Sequence, residues 1–268
     1  MSEPEIVVVR DAEAGATRAA EVIATTLSDA VGERDGRADW ATTGGSTAPG
    51  IYRALLTAAF RDRMPWEAVH TWWGDDRFVP SDHPLSNVRP FDDVLLDGGG
   101  WESVHSDDRR GRVRIPVANL HPFRTGEAIG VGEDAEDCAR DLAAELRGAG
   151  LPEPDGWPVF DLILLGIGSD GHILSVFPDS PAFDSRAVAL AVPAPTHIEP
   201  HLQRVTLNPE IVRVARRLLV VAYGAGKADV LAGVFGTEVD PRRLPAQLAR
   251  REGATWVVDE DAAANLPR

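Results

Sequence analysis

Cysteine is nearly absent from the 268-residue sequence, and long apolar runs are absent altogether. The single cysteine, Cys138, excludes an internal disulfide and lies in a helix-like stretch, so we interpret it as a small helix residue rather than a nucleophile. No apolar run reaches the roughly eighteen residues that a membrane-spanning helix needs. The N-terminus lacks the basic region that precedes the apolar stretch of a signal peptide. These absences predict a cytoplasmic protein without a membrane segment.

Positive charge is also scarce, with 27 basic residues against 42 acidic ones and a net charge of −15. Because nucleic-acid backbones are held by clustered cations, this balance argues against a nucleic-acid partner. Lysine is rarer still, since Lys227 is the only one and every other basic residue is arginine. A lysine retained among arginines indicates a position that suits a compact ammonium. An anionic ligand would need a local positive site, so the basic residues inside motif-like segments are candidates for it.

Short apolar runs alternate with helical patterns along the whole chain. Several runs are continuously apolar, as in strands that are buried on both faces. The alternation predicts an α/β fold with a mainly parallel, Rossmann-like open sheet and helices on both faces. Strands are predicted over residues 6–9, 39–43, 69–73, 160–166, 187–192, 205–207, 218–222 and 255–258. Helices are predicted over residues 13–30, 49–60, 87–95, 133–148, 209–215, 227–235 and 260–266.

Residues that favour the first turn of a helix support this division of the chain. Pro49 and Pro209 stand where first-turn prolines belong, and Asn208 is the predicted cap of the second of these helices. Residues 97–112 are rich in Gly, Asp and Arg and are predicted to form an exposed loop, and residues 151–158 are the other candidate linker. Neither segment separates two regions of different composition, so a single domain over residues 1–268 is predicted.

The first chemical motif is the turn T-T-G-G-S-T-A-P at residues 42–49, between a predicted strand and a predicted helix. Gly44 and Gly45 permit close approach of the backbone, and Ser46 and Thr47 offer hydroxyls at a helix N-terminus. This combination favours an anion such as phosphate. The G-x-x-x-x-G-K spacing of a Walker loop is absent, and an ordinary capped turn is the alternative.

The same turn nearly matches the nucleophile elbow G-x-S-x-G, with Ala48 at the last position. Asp75 and His172 would complete the Ser, Asp, His order of an α/β-hydrolase. We disfavour that reading because the turn follows only the second strand and no oxyanion loop precedes it.

The second motif, T-W-W-G-D-D-R-F-V-P at residues 71–80, is followed by the pair S-N. Asp75, Asp76 and Arg77 come at the end of a strand, where open α/β sheets place their ligands. Arg77 can bind a phosphate or a carboxylate with two prongs, and the acids can accept protons from sugar hydroxyls or hold Arg77 in place. A surface ion pair is the alternative, and the two tryptophans are predicted core residues.

The third motif is D-L-I-L-L-G-I-G-S-D-G-H at residues 161–172. Its G-x-G-x-x-G invites a dinucleotide site, but Pro178 breaks any long helix after the glycines and no acidic residue ends the next strand. We instead expect the glycines to bend the strand exit so that Asp170 and His172 face a common pocket. An imidazole, with a reference pKa of about 6.5, is suited to abstract a proton from water at neutral pH.

Two further segments carry cations, R-V-T-L from Arg204 and Y-G-A-G-K-A around Lys227. Lys227 opens a helix after an apolar strand, so its ammonium and the helix N-terminus could meet one anion. His197 and His201 lie in a proline-rich loop and are interpreted as solvated loop residues, with a lid as the alternative role.

Taken together and in this order, these segments resemble the 6-phosphogluconolactonase family. The resemblance covers nearly the whole chain, from the first strand to P-A-Q-L at residues 245–248 and W-x-x-D at residues 256–259. Single motifs of this kind are weak, whereas five in one order are specific.

The resemblance implies hydrolysis of 6-phospho-D-glucono-1,5-lactone to 6-phospho-D-gluconate, with no metal and no organic cofactor. On this model His172 draws a proton from water, the water attacks the lactone carbonyl, and His172 then protonates the leaving ring oxygen. Asp170 would orient His172, and Arg77 would hold the phosphate or the developing negative charge. The implied substrate-binding residues are Gly44, Gly45, Ser46, Thr47, Asp75, Asp76, Asn87, Gly171, Arg204 and Lys227.

The sequence departs from the family pattern at several positions. Asp76 replaces the usual Glu, Ala48 is inserted before the usual proline, and Asn208 stands where Thr is common. Ile173 replaces Thr and is shared with the related glucosamine-6-phosphate deaminases. Those enzymes carry a catalytic Glu five residues after the histidine, where this chain has Phe177.

Two other functions remain as alternatives, a deaminase-like isomerase and a non-catalytic sugar-phosphate sensor. Sensors of this fold usually carry a DNA-binding helix-turn-helix, for which the chain has neither spare length nor basic charge. The expected partner is a phosphorylated sugar lactone, and a monomer and a small homo-oligomer are both open.

Overall fold

The structure is a computed structural model, and it describes residues 3–96 and 112–267. In these residues the helices are α1 (Ala12–Glu33), α2 (Ala48–Leu55), α3 (Ala58–Arg61), α4 (Arg89–Leu95), α5 (Thr125–Val131), α6 (Ala135–Gly148), α7 (Pro209–Val214) and α8 (Ala228–Val234). The strands are β1 (Glu5–Val9), β2 (Ala38–Thr42), β3 (Val69–Trp73), β4 (Asp75–Arg77), β5 (Leu120–His121), β6 (Leu162–Gly166), β7 (Ala189–Val192), β8 (Arg204–Leu207), β9 (Arg217–Ala222) and β10 (Ala254–Asp259). The predicted loop at residues 97–112 lies, apart from its last residue, outside the described residues.

Seven strands form a parallel sheet in the order β1-β10-β9-β6-β2-β3-β5. All five residues of β2 and the first four of β6 are buried. Because successive strand residues point to opposite faces, burial of every residue means that both faces of these strands are covered. The predicted mainly parallel α/β sheet is therefore confirmed.

Capping side chains fix the ends of several helices. Asp11 accepts a hydrogen bond from the backbone N–H of Ala14 at the start of α1, and Asn208 does the same for Glu210 at the start of α7. The predicted cap and the first-turn prolines are thus confirmed. Cys138 is buried in α6, and burial raises the pKa of its thiol to about 12, as expected for a structural cysteine.

A second, antiparallel sheet was not predicted. It joins β4, β8 and β7, with β8 in the middle. The strands predicted over residues 187–192 and 205–207 are present as β7 and β8, but they pair in this second sheet, and the strand over residues 75–77 was not predicted. Because β4 has only three residues and follows β3 after Gly74, this sheet projects from the carboxyl edge of the parallel sheet.

Two helix predictions also need correction. The helix α5 was missed, and the predicted helix over residues 260–266 is a series of turns. The Asp259 side chain accepts hydrogen bonds from the backbone N–H groups of Ala262 and Gly224, which holds the chain in a turn directly after β10. No helix in the described part of the chain is long and apolar enough to cross a membrane.

Candidate active site

A cavity of about 190 Å³ lies at the carboxyl edge of the parallel sheet. It sits over the junction of β2 and β6, where the chain order of the strands reverses, and open α/β sheets bind ligands at such a point. Its lining combines a glycine-rich turn, three cations, one imidazole and an apolar floor. The lining residues are Thr43, Gly44, Gly45, Ser46, Thr47, Asp75, Arg77, Asn87, Gly166, Ile167, His172, Leu174, Arg204, Val221, Ala222, Tyr223 and Lys227.

The turn after β2 forms one wall of this cavity. A Cβ atom on Gly44 would lie 2.2 Å from the Asn87 side-chain oxygen, so only glycine permits this approach. Gly45 adopts a left-handed φ of 78°. Thr47 precedes α2 but makes no side-chain cap bond, and both it and Ser46 line the cavity. The alternative of an ordinary side-chain-capped turn is therefore not what the structure contains.

His172 and Asp170 form a close pair at the exit of β6. The Nδ1 atom of His172 lies 2.6 Å from Oδ1 of Asp170, and the same oxygen accepts the backbone N–H of His172 at 3.1 Å. Because an ionised Asp170 can only accept, we assign the proton to Nδ1, and in the neutral ring the other nitrogen, Nε2, bears the lone pair. In the described part of the chain Nε2 has no hydrogen-bond partner, and His172 lines the cavity whereas Asp170 does not.

Gly168 makes this pair possible. A Cβ atom at this position would lie 2.1 Å from Nδ1 of His172 and 2.5 Å from Oδ1 of Asp170. The second glycine of the G-x-G-x-x-G pattern thus makes room for an imidazole–carboxylate contact. In the described residues the segment is followed by only a short 3-10 helix, Pro181–Asp184, and not by the long helix of a dinucleotide site.

Asp170 has a second imidazole partner that the sequence interpretation missed. Nε2 of His197 lies 2.7 Å from Oδ2 of Asp170. Burial by itself would raise the pKa of Asp170, but the hydrogen bonds from His172 and His197 outweigh it and hold that pKa well below its ordinary value. Asp170 therefore stays a carboxylate. The only sequence signal for His197 was its place in a histidine-bearing, proline-rich loop.

Three cationic side chains line the cavity, and the hydrogen bonds that they donate go to uncharged oxygens. Nη1 of Arg77 donates to the backbone oxygen of Leu85 and to the side-chain oxygen of Asn87. Arg204 donates to two backbone oxygens of the loop before β8, and Lys227 donates to the backbone oxygen of Ile167 at 2.8 Å.

No carboxylate in the described part of the chain forms an ion pair with these cations. The Nε atom of Arg77 is buried without a hydrogen-bond partner in that part. Burial and the charge of Arg77 lower the pKa of Arg204, and burial lowers that of Lys227 against the opposing effect of Asp170. Burial thus disfavours the charges of Arg204 and Lys227, and Arg77 repels Arg204 against the opposing charges of Asp75 and Asp76, so an anion in the cavity would stabilise these cations.

Asp75, Asp76 and Asn87 form a framework beneath the cations. Asp76 is fully buried and accepts hydrogen bonds from the backbone N–H groups of Arg77 and Asn87 and from the hydroxyl of Ser86. Burial raises the pKa of Asp76 to about 7. Asp76 does not line the cavity, so the predicted direct contact with substrate has no support, and its contacts instead position Arg77 and Asn87.

Asp75 is held by the Asn87 amide at 3.2 Å and by the hydroxyl of Ser175 at 2.5 Å. His172 therefore bonds Asp170 and not Asp75, and no hydrogen bond joins it to Ser46 in the described part of the chain. The Ser, Asp, His triad considered for the turn after β2 is not assembled.

The residues that follow His172 also differ from expectation. Ile173, the departure shared with the deaminases, is fully buried in the core and does not line the cavity. Leu174 lines it instead, with a left-handed φ of 54° that is unusual for a branched side chain. Gly171, another predicted substrate contact, lies outside the lining and packs against Leu244 with a φ of 83°.

One further polar group was missed. Tyr223, directly after β9, lines the cavity, and its buried hydroxyl has no hydrogen-bond partner in the described part of the chain. The sequence placed it next to the glycine-rich segment of Lys227 without assigning it a role.

Comparison with known proteins gives consistent results. The family of glucosamine-6-phosphate isomerases/6-phosphogluconolactonase matches residues 10–258. The chain is similar to the 6-phosphogluconolactonase of Synechocystis sp., with 33% identity over 98% of each chain. It is likewise 33% identical to that of Streptomyces coelicolor, over 99% of this chain and 95% of the relative.

Among solved structures, the 6-phosphogluconolactonase from Trypanosoma brucei superposes with a TM-score of 0.79 and 27% identity, covering 98% of this chain and 99% of the other. The sequence motifs, the fold and the full-length matches agree. The chain therefore belongs to the glucosamine-6-phosphate isomerase/6-phosphogluconolactonase family.

Proposed function

We propose that this chain hydrolyses 6-phospho-D-glucono-1,5-lactone to 6-phospho-D-gluconate, with His172 as the general base. One observation carries the proposal: the unpartnered Nε2 of His172 shares a cavity with Arg77, Arg204 and Lys227, which have no carboxylate partner in the described part of the chain. Such a site suits a substrate that has both an uncharged ester and a phosphate, because the base can serve the ester while the cations bind the phosphate. The names of the relatives in Synechocystis and Streptomyces support the same reaction.

In the first step Nε2 of His172 takes a proton from water as the water oxygen attacks the lactone carbonyl carbon. The carbonyl π electrons move to its oxygen, and a tetrahedral intermediate forms. Asp170 accepts a hydrogen bond from the Nδ1–H group of His172, which orients the ring and stabilises the imidazolium that results.

In the second step the carbonyl re-forms, the bond from the carbonyl carbon to the ring oxygen breaks, and the imidazolium gives its proton to that oxygen. The product acid then ionises, so each turnover releases one proton to solvent. A general base of this kind contributes roughly a hundred- to ten-thousand-fold, which suffices for an ester that also opens unaided. No covalent nucleophile is required.

The cations are assigned to the phosphate and to the negative charge that develops on the carbonyl oxygen. The guanidinium of Arg77 lines the cavity, and Ser46 and Thr47 add hydroxyl-bearing side chains to the same lining. We also infer that residues 1–268 act as one unit, because the cavity takes its lining from segments between Thr43 and Lys227 and from both sheets.

A deaminase-like isomerisation is the second candidate, because the family includes it. The position of its catalytic glutamate is occupied by Phe177, whose ring lies 4.7 Å from that of His172. An apolar ring cannot shuttle a proton, so this observation favours the lactonase.

A direct assay tests the proposal. Acid release from freshly prepared 6-phosphoglucono-1,5-lactone should be much faster with the protein than in buffer alone, and glucosamine 6-phosphate should yield no ammonia. A rate equal to that in buffer would overturn the lactonase proposal, and ammonia formation would favour the isomerase.

A further inference from the structure

One carboxylate, that of Asp170, is shared by two imidazoles. Its Oδ1 accepts from Nδ1 of His172 at 2.6 Å, and its Oδ2 accepts from Nε2 of His197 at 2.7 Å. The Asp170 side chain is only 16% exposed, whereas that of His197 is 49% exposed. His197 therefore covers the Asp170 carboxylate from the solvent side, while His172 covers it from the cavity side.

The loop that carries His197, residues 193–203, is fastened close to the proposed base. Arg204 donates from Nε to the backbone oxygen of Leu202 and from Nη2 to that of Pro200. The ring of Phe177 stands perpendicular to that of His197 at 5.9 Å, and it also contacts the ring of His172. His197 thus meets the proposed catalytic pair through both a hydrogen bond and a shared aromatic neighbour.

We propose that His197 is a positioning residue for the general base, acting through the hydrogen bond from its Nε2 to Asp170. The inference rests on the proposed lactonase function. With both oxygens occupied, the Asp170 carboxylate cannot rotate about its side-chain bond, and the His172 ring keeps the orientation that points Nε2 into the cavity.

The same bond also acts on the charge of Asp170. A donor on Oδ2 withdraws negative charge from the carboxylate, and this weakens the attraction that Asp170 exerts on a protonated His172. Among the described residues, Lys227 interacts with the charge of Asp170, and Arg204 lies over the ring of Phe177, which contacts His172. His201 and Glu199 on the loop pair with each other. Removal of His197 leaves all of these in place.

Three single substitutions isolate the bond. His197→Phe keeps the ring against Phe177 and removes the donor, whereas His197→Gln keeps a donor near the position of Nε2. His201→Gln is the matched control, because His201 belongs to the same loop, its side chain is also 49% exposed, and it contacts Pro195 and Glu199 rather than Asp170.

We expect His197→Phe to lower kcat by roughly tenfold, the effect of one hydrogen bond to a charged group, with KM changed less than about twofold. The acid limb of its pH profile for kcat/KM should move to higher pH, because His172 must lose its proton to act. His197→Gln should restore kcat to within about threefold of wild type and return the acid limb towards its original position. His201→Gln should keep the wild-type pH profile.

The outcomes are separable. An active wild-type protein whose His197→Phe variant has an unchanged kcat and pH profile would overturn the role of His197 alone. Equal losses in His197→Phe and His201→Gln would also overturn it, because they would indicate a general effect of the loop. A wild-type protein that does not accelerate lactone hydrolysis would overturn the proposed function, and this inference with it.

Discussion

Charged side chains form ion pairs at the amino edge of the parallel sheet, whereas the cations at its carboxyl edge do not among the described residues. At the amino edge, Asp39 and Asp161 are buried, and Arg34 contacts both. Arg37 adds a two-pronged contact to Asp39, and the indole N–H of Trp72 donates to Asp39 at 3.0 Å. Burial raises the pKa of Asp161, while the backbone N–H of Asp39 and Arg34 oppose that rise.

At the carboxyl edge, Arg77, Arg204 and Lys227 bond only neutral oxygens among the described residues. A larger cavity, of about 790 Å³, lies at the amino edge, but its lining mixes basic and acidic side chains. The candidate site at the carboxyl edge is therefore distinguished by the charges that line it and not by its size. Opposite charges are paired at the amino edge, whereas at the carboxyl edge cations without an ion-pair partner among the described residues remain available to a ligand.

The largest expected effect is a loss of stability when the ion-pair network at the amino edge is broken. Arg34→Met leaves Asp39 and Asp161 with less charge compensation, so we expect the free energy of unfolding to fall by about 3–5 kcal/mol. Urea unfolding measures this, and kcat/KM of the folded variant should stay unchanged. The control Arg18→Met, in an exposed pair with Glu21, should cost no more than about 1 kcal/mol. Equal losses in the two variants would show that the amino-edge network is no more than a surface feature.

The second test disturbs the contact between Asp170 and His172 at the carboxyl edge. The Cβ atom of Gly168→Ala would overlap the ring of His172 and the carboxylate of Asp170. We expect kcat to fall by about a hundredfold, since displacement of a reacting group by about 1 Å has that effect. Gly148→Ala, where a Cβ atom would meet nothing within 4 Å, is the matched control. A Gly168→Ala variant with wild-type kcat would mean that the contact between Asp170 and His172 is dispensable.

The third test asks whether the unpaired cations bind phosphate. Lys227→Met should raise KM for the phosphorylated lactone by roughly tenfold, the effect of one charge-assisted hydrogen bond, while KM for unphosphorylated glucono-1,5-lactone stays constant. Lys227→Arg should also raise KM, because a planar guanidinium does not replace a compact ammonium on the Ile167 carbonyl.

Arg213→Met provides the control for this cation test. Arg213 lies on α7 and is already paired with Glu210, so its removal should leave both KM values unchanged. If Lys227→Met raised KM equally for both lactones, Lys227 would contact the sugar ring rather than the phosphate.

The fourth test concerns the acid beneath the cations. The pKa of Asp76 is about 7 in the folded chain, above its ordinary value of 3.8, so its contribution to stability is complete below about pH 4 and is lost as pH rises towards 7. Asp76→Asn keeps the shape and cannot ionise. Relative to wild type, its free energy of unfolding should therefore rise between pH 4 and pH 7, by up to about 3 kcal/mol for a pKa shift of this size. A difference that does not change with pH would show that Asp76 ionises normally.

Much of the parallel sheet was predictable because its strands are continuous apolar runs. The positions of the Gly-rich turn, Arg77, His172 and Lys227 at strand exits followed from the same pattern, and all of them line one cavity. The antiparallel sheet was not predictable for two reasons. The sequence of β4 is the polar motif D-D-R, which does not resemble a strand, and the apolar sequence of β7 does not indicate which sheet that strand joins.

The errors within the site have a common physical origin. The contact of His197 with Asp170 spans 27 positions of chain, and the burial of Asp76 depends on partners that come 10 and 11 positions later. Local pattern carries no information about such contacts. Composition signalled Lys227 but could not indicate that its ammonium rests on the Ile167 carbonyl.

The rate of acid release from 6-phosphoglucono-1,5-lactone by His172→Ala, compared with wild type, tests the central claim most directly. We predict that kcat/KM falls by roughly a hundred- to ten-thousand-fold, while the variant unfolds at the wild-type urea concentration and still binds 6-phosphogluconate. Equal rates for the two proteins would contradict the assignment of His172 as the general base.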